Sequence, residues 1–170
     1  MKIEIFPLVD SKGTVIGSAS RAECHSGSFL LHPVVHLHLI DSKGRLYLQK
    51  RSALKDIQPG KWDTSVGGHV DYGESIEDAL LREASEELGI SGFKAVFMQR
   101  YIFTSYIESE LIHSYYTIWD ESPHPDPEEI SEGRFWEIQE IRNYIGTNTF
   151  TPNFEDEFQR LMDSGLLPVK

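Results

Sequence analysis

The 170-residue chain has a single cysteine, Cys24, so no disulfide can form within it. It is short of positive charge: 16 Lys and Arg stand against 27 Asp and Glu, a formal net charge of −11. A nucleic-acid polymer needs a basic face that displaces its counterions, so this balance argues against nonspecific nucleic-acid binding. It argues equally against docking on an anionic membrane surface. Long apolar runs are missing too. Val34–Ile40 is far too short to span a bilayer and contains His36 and His38. The amino-terminal Met-Lys-Ile-Glu-Ile-Phe-Pro has no sustained apolar stretch of the kind a secretory signal carries, and the cytoplasm is the expected compartment. No stretch reads as an interdomain linker. With 39% hydrophobic and 25% charged residues, the composition fits one globular domain over 1–170.

What is present begins with turns. Asp10-Ser11-Lys12-Gly13 separates strand candidates at Ile3–Val9 and Val15-Ile16, and the same tetrapeptide at 41–44 separates Val34–Ile40 from Arg45–Lys50. In Val34–Ile40, Val35, Leu37 and Leu39 alternate with His36 and His38, the period of a half-buried strand, which places the two histidines at ordinary, partly exposed positions. Ser52 to Trp62 is a loop broken at Pro59-Gly60. Ile76–Leu88 is the clearest helix, with Ser75 as N-cap and Gly89 at its carboxyl end. Phe93–Ser105 and Leu111–Trp119 read as longer strands, Ser122–Gly133 as an acidic, proline-bearing loop and Arg134–Ile138 as a last strand. Short helices are expected near Glu140–Tyr144 and Phe154–Met162. This order predicts an α/β (α+β) fold with a mixed sheet flanked by helices. It divides into a β-hairpin extension over 1–24, a core over 25–145 and a C-terminal helix over 146–170.

The helix carries the chemistry. Residues three and four apart share a helical face, so Glu83 lies beside Glu86 and Glu87. At about 4 Å and an effective dielectric of about 20, two such charges repel by roughly 4 kcal/mol. A divalent cation relieves that repulsion, and carboxylate oxygens suit Mg²⁺ or Mn²⁺. Arg82, four residues before Glu86, can hold it in place. Ile76, Ala79, Leu80, Ala84 and Leu88 supply the opposite, core-facing side. Gly67 and Gly68 let the backbone approach a metal or a phosphate closely.

The full pattern is longer than one helix face. Gly68 is followed after five residues by Glu74, then after seven by Arg82-Glu83, a small apolar residue, any residue, Glu86-Glu87, any residue, Gly89 and Ile90. Seven fixed residue types would match by chance about once in 10⁸ start positions, which sets aside a merely solvated acidic face. The pattern resembles the signature of the Nudix hydrolases. That resemblance implies an α/β/α sandwich containing the Nudix loop-helix-loop, and hydrolysis of a diphosphate bond in a small nucleoside-diphosphate-linked or related compound. It implies a metal held by Glu83, Glu86 and Glu87, with the Gly67 carbonyl as a further ligand, supported by Arg82 and Glu74. The general base is left open among Glu87, Glu108, Glu110 and the acids at Glu128-Glu129.

A second set lies outside that signature: His25 and His32 seven apart, His69 after Gly68, Glu108 and Glu110 around Ser109, and Arg51 and Lys55 ahead of Pro59-Gly60-Lys61-Trp62. These resemble the isopentenyl-diphosphate isomerase branch of the same fold. The branch implies a second divalent metal at His25, His32, His69, Glu108 and Glu110, and diphosphate binding by Arg51 and Lys55. Gly68 is placed with them in the substrate site, and so is Trp62, for which a core or pocket-wall position is the alternative. Two features depart from the isomerases. Gly67 stands where they need a cysteine for proton transfer, and Asn148, with Phe150 close by, stands where they use a carbocation-stabilising tryptophan. The acids that isomerases have largely lost are all present. The reading is therefore an isomerase-like hydrolase. Isomerisation and a non-catalytic ligand-sensing domain are the alternatives. A homodimer through the N-terminal hairpin is compatible with the sequence. Acids that recruit a metal, with Arg51 and Lys55, reverse the local sign, so the acidic balance does not exclude a small phosphorylated ligand.

Overall fold

The two Asp-Ser-Lys-Gly segments fold into the same turn. The Asp10 carboxylate accepts the Lys12 and Thr14 amides at 2.9 and 3.0 Å, and the Asp41 carboxylate accepts those of Lys43 and Arg45 at 3.0 and 2.8 Å. Gly13 and Gly44 then take φ of 88° and 80°, which a side chain would oppose. The computed structural model describes residues 2–55 and 57–169; Asp56, in the expected 52–62 loop, lies outside that description.

Between these turns run β1 (Ile5–Val9), β2 (Val15–Ser20), the single turn α1 (Arg21–Cys24), β3 (Leu31–Ile40) and β4 (Leu46–Arg51). They are followed by β5 (Trp62–Thr64), β6 (Val66–His69), α2 (Ile76–Leu88), β7 (Val96–Thr104), β8 (Ser109–Ile118), β9 (Ile130–Trp136), α3 (Ile138–Tyr144) and α4 (Pro152–Ser164). β3 is the spine. It runs parallel to β8 from Leu31↔Ser109 to Ile40↔Ile118 and pairs antiparallel with β6 on its other side. β7 adds antiparallel to β8, while β4 carries β5 and β9. The sheet is mixed, as the element order predicts.

Helices cover both faces. Ala79, Leu80, Ala84 and Leu88 of α2 pack on Val35, Leu37, Leu39 and Val66. Ile141 of α3 and Phe154, Phe158 and Leu161 of α4 pack on Leu46, Leu48, Trp62, Trp136 and Phe150. The β1–β2 hairpin is a separate two-stranded sheet with its own small cluster of Phe6, Ala19 and Cys24. It is tied back where Tyr72 donates its amide to the Ile5 carbonyl at 2.9 Å.

α2 has the limits its sequence predicts. The Ser75 hydroxyl caps the Asp78 amide at 3.1 Å, and Gly89 closes the helix in the left-handed region at φ 63°. β5 and β6 have no counterpart in the sequence reading, because three or four residues with two glycines show no alternation. Their strand character comes from pairing with β4 and β3. Among the described residues no helix is long and apolar enough to cross a membrane.

One core residue sets an acid limit on stability. His113 of β8 is 9% exposed, and burial lowers its pKa to about 4, assisted by Arg100. The folded protein then binds fewer protons than the unfolded chain between about 4 and the ordinary 6.5, so stability falls as pH drops through that window. His113→Gln should retain on the order of 2 kcal/mol more of its pH 7 stability at pH 4.5 than the unaltered protein, as read by urea unfolding.

Candidate active site

The carboxylates of α2 meet the glycines of β6. Glu87 is half-buried and accepts the Gly67 amide at 3.2 Å and the Gln49 side-chain amide at 3.1 Å. Burial, with Glu83 beside it, pushes its pKa up to about 8. Burial raises Glu83 to about 7, even though Arg82 opposes the shift. Two desolvated carboxylates of raised basicity with an exposed third, Glu86, form a hard-oxygen site that a divalent cation would relieve.

Arg82 organises the acids. It grips Glu74 at 2.8 and 2.9 Å, Glu83 at 2.9 Å and Glu86 at 3.3 Å, and donates to the His69 carbonyl at 3.0 Å. Glu74, hydrogen-bonded first to Arg82, is held below the usual carboxylate range and also accepts the Asp71 amide. The two glycines differ in their surroundings. A Cβ on Gly68 would lie 2.1 Å from Glu83 Cδ, whereas one on Gly67 would meet nothing nearer than His36 at 3.4 Å.

A second group gathers behind β6. Ligand atoms of His25, His32, His69 and Glu108 all lie within 4.8 Å of one another. His25 Nε2 is 3.2 Å from His69 Nε2 and 2.9 Å from Glu108 Oε2, and His32 Nε2 is 3.7 Å from the same oxygen. His32 Nδ1 is satisfied by the Leu30 carbonyl at 2.8 Å, which turns Nε2 inward. That Nε2 and Glu108 Oε2 are buried without a well-aligned hydrogen bond. Phe6 stacks on His69 at 4.4 Å and closes the group from the hairpin side. Burial lowers the pKa of His32 and His69, which keeps both in the neutral, ligating form. Three imidazoles and a carboxylate converging on orphaned atoms fit a borderline cation such as Mn²⁺, Zn²⁺ or Fe²⁺. Glu110, next to Glu108, is buried and raised to about 8, first by burial and then by Glu108. It lies outside the four-residue group.

Both sets open on one cleft of about 750 Å³. Arg51 and Lys55 line it. Arg51 donates to the Ile57 carbonyl at 3.0 Å and faces Asp63 at 3.7 Å, and Lys55 is ion-paired with Glu129. Of the open base candidates, Glu87, Glu108, Glu110 and Glu129 line the cleft; Glu128 does not. Trp62 departs from its expected place against substrate. It lies in the core with its ring 5.1 Å from Trp136, and no Phe, Tyr or Trp among the described residues lines the cleft.

His36 and His38 correct a sequence expectation. They are 7% and 0% exposed, because α4 lays Glu157 beneath the sheet. Glu157 Oε2 is 2.7 Å from His36 Nδ1 and 3.2 Å from His38 Nε2, and Ser114 donates to its other oxygen. Burial alone would lower His36, but the Glu157 carboxylate overrides it and lifts the ring to about 9. Glu157 is in turn held well below the carboxylate range by the two imidazoles, against the burial that would raise it. A signal for it existed: an acid at 157 stands in the apolar stripe of Phe154, Phe158 and Leu161.

Comparison with known proteins places the chain among relatives. The family profile described as NUDIX domain matches residues 30–157. Isopentenyl-diphosphate Delta-isomerase 1 of Photorhabdus laumondii is 31% identical over 166 residues, covering 92% of this chain and 94% of that protein. An uncharacterized Nudix hydrolase of Streptomyces coelicolor is 31% identical over 160 residues, covering 93% and 88%. The crystal structure of DR0079 from Deinococcus radiodurans superposes with a TM-score of 0.80 at 26% identity, over 92% of this chain and 98% of that one.

Proposed function

This chain belongs to the Nudix family, on its isopentenyl-diphosphate-isomerase-like branch, and from that premise we propose that it is a metal-dependent hydrolase of a small organic diphosphate. The observation that carries the reading is the group of Glu83, Glu86 and Glu87, the first two held by Arg82, the third by Gly67 and Gln49, with Gly68 making room for Glu83. Those three carboxylates, with the Gly67 carbonyl, would hold Mg²⁺ or Mn²⁺. Such an ion neutralises charge developing on phosphate oxygens and lowers the pKa of water.

The chain's own residues then do three things. Arg82 keeps the acids apart and oriented. Arg51 and Lys55 offer positive charge to the diphosphate in a cleft whose acids outnumber its cations. A carboxylate from among Glu87, Glu108, Glu110 and Glu129 takes the proton of the attacking water. An oxygen–phosphorus bond forms, and the bridging oxygen leaves with the electron pair of the broken bond. Turnover should be screened on nucleoside diphosphate sugars, dinucleotide polyphosphates, nucleoside triphosphates and isoprenoid diphosphates. A substrate cleaved with Mg²⁺ or Mn²⁺ and spared in EDTA supports the reading; a full panel left intact with either metal sinks it.

The histidine cluster would hold a second cation. His69→Ala should remove about one equivalent of Mn²⁺ or Zn²⁺ per chain in elemental analysis after dialysis. An unchanged metal content argues against the cluster. The cluster also favours a second reading, isomerisation of isopentenyl diphosphate, because relatives carry that name. Gly67 has no group that can move a proton, so no deuterium should enter isopentenyl diphosphate from heavy water. Clear exchange would reinstate the isomerase.

A further inference from the structure

The His36 ring is divided between two environments. Its Nδ1 edge is turned to Glu157, which is fully buried and also engaged by Ser114 and His38. Its opposite edge faces the cleft, where a Cβ on Gly67 would lie 3.4 Å from Cδ2 and 3.5 Å from Nε2. His36 lines the cleft although only 7% of its surface is exposed. The glycine leaves that edge uncovered; any larger side chain at 67 would stand over it. A ring anchored in this way gives up little freedom when its free nitrogen meets a ligand. Meanwhile Arg82 is committed to four carboxylate contacts. We propose that His36 touches the substrate, donating from Nε2 to a nonbridging oxygen of the bound diphosphate, and that Glu157 is the positioning residue that presents it.

The proposal rests on the diphosphate-hydrolase reading and adds a donor that lies outside the Glu83–Glu87 set. Its chemistry is that of a ring N–H facing an anionic phosphate oxygen, a charge-assisted hydrogen bond. Two substitutions separate the ring's two edges. The amide of His36→Asn overlays Nδ1, keeps the Glu157 contact and removes the cleft donor. The amide of His36→Gln overlays Nε2 and keeps the cleft donor. On the cleaved substrate, His36→Asn should lower kcat/KM by about 10- to 100-fold, and its melting temperature should fall too, because a neutral amide replaces the ring beside the buried Glu157 carboxylate. His36→Gln should recover at least part of that loss while melting lower. Glu157→Gln should act in the same direction as His36→Asn, through the ring.

A readout independent of turnover uses the unaltered protein. Methylenediphosphonate with Mg²⁺ should shift the His36 Nε2 resonance in long-range ¹H–¹⁵N spectra. If calorimetry shows this probe binding while Nε2 stays put, or if His36→Asn turns over like the unaltered enzyme, the proposal is overturned and the hydrolase reading stands. If the probe does not bind and nothing on the panel is cleaved, the hydrolase reading falls and takes the proposal with it.

Discussion

Glu87→Gln should cut turnover roughly a thousand-fold and leave the protein folded. Gln at 87 can still accept the amides of Gly67 and Gln49, so the local hydrogen bonds survive. What disappears is the charge that would hold the cation. The same substitution should stabilise the metal-free protein at high pH. Burial raises the Glu87 carboxyl to about 8 from an ordinary 4.5, so stability is lost as pH climbs through that interval. The glutamine does not titrate and avoids the loss. Higher melting above pH 8 in EDTA together with dead turnover marks a functional carboxylate. Unchanged turnover, or a lower melting temperature, would mark a structural one.

The second large effect separates neighbours in sequence. Gly68→Ala puts a methyl carbon where Glu83 now lies, 2.1 Å from its Cδ, so the carboxylate must leave its position against β6. Gly67→Ala meets only His36, at 3.4 Å, an ordinary contact. Gly68→Ala should therefore weaken Mg²⁺ binding and lower kcat/KM by about 100-fold, whereas Gly67→Ala should leave Mg²⁺ affinity within a few-fold of the unaltered protein. Titration of each variant with Mg²⁺ by calorimetry reads the difference. Equal effects at the two positions would remove the steric argument for Gly68.

What the sequence disclosed and what it hid divide by range. α2, its cap at Ser75, its stop at Gly89 and the shared face of Glu83, Glu86 and Glu87 are all set within a few residues, so spacing predicts them. The histidine cluster became legible through a family resemblance, because His25 and His69 are 44 residues apart and meet only in the folded chain. The pairing of His36 with Glu157 spans 121 residues, and alternation along β3 gave no sign that α4 would bury an acid there. Trp62 misled for the converse reason. It follows a Pro-Gly turn near basic residues, yet β5 pairs with β4 and turns its indole to Trp136.

The account's central claim is that water cleaves a diphosphate bond at the Glu83–Glu86–Glu87 centre. Phosphorus NMR of the panel reaction in ¹⁸O-enriched water tests it most directly. The prediction is one ¹⁸O on a phosphorus-bearing product, seen with Mg²⁺ or Mn²⁺ and lost in EDTA or with Glu86→Gln. Label that enters at the same rate in the metal-free protein or in Glu86→Gln, or no cleavage of any compound, would contradict it.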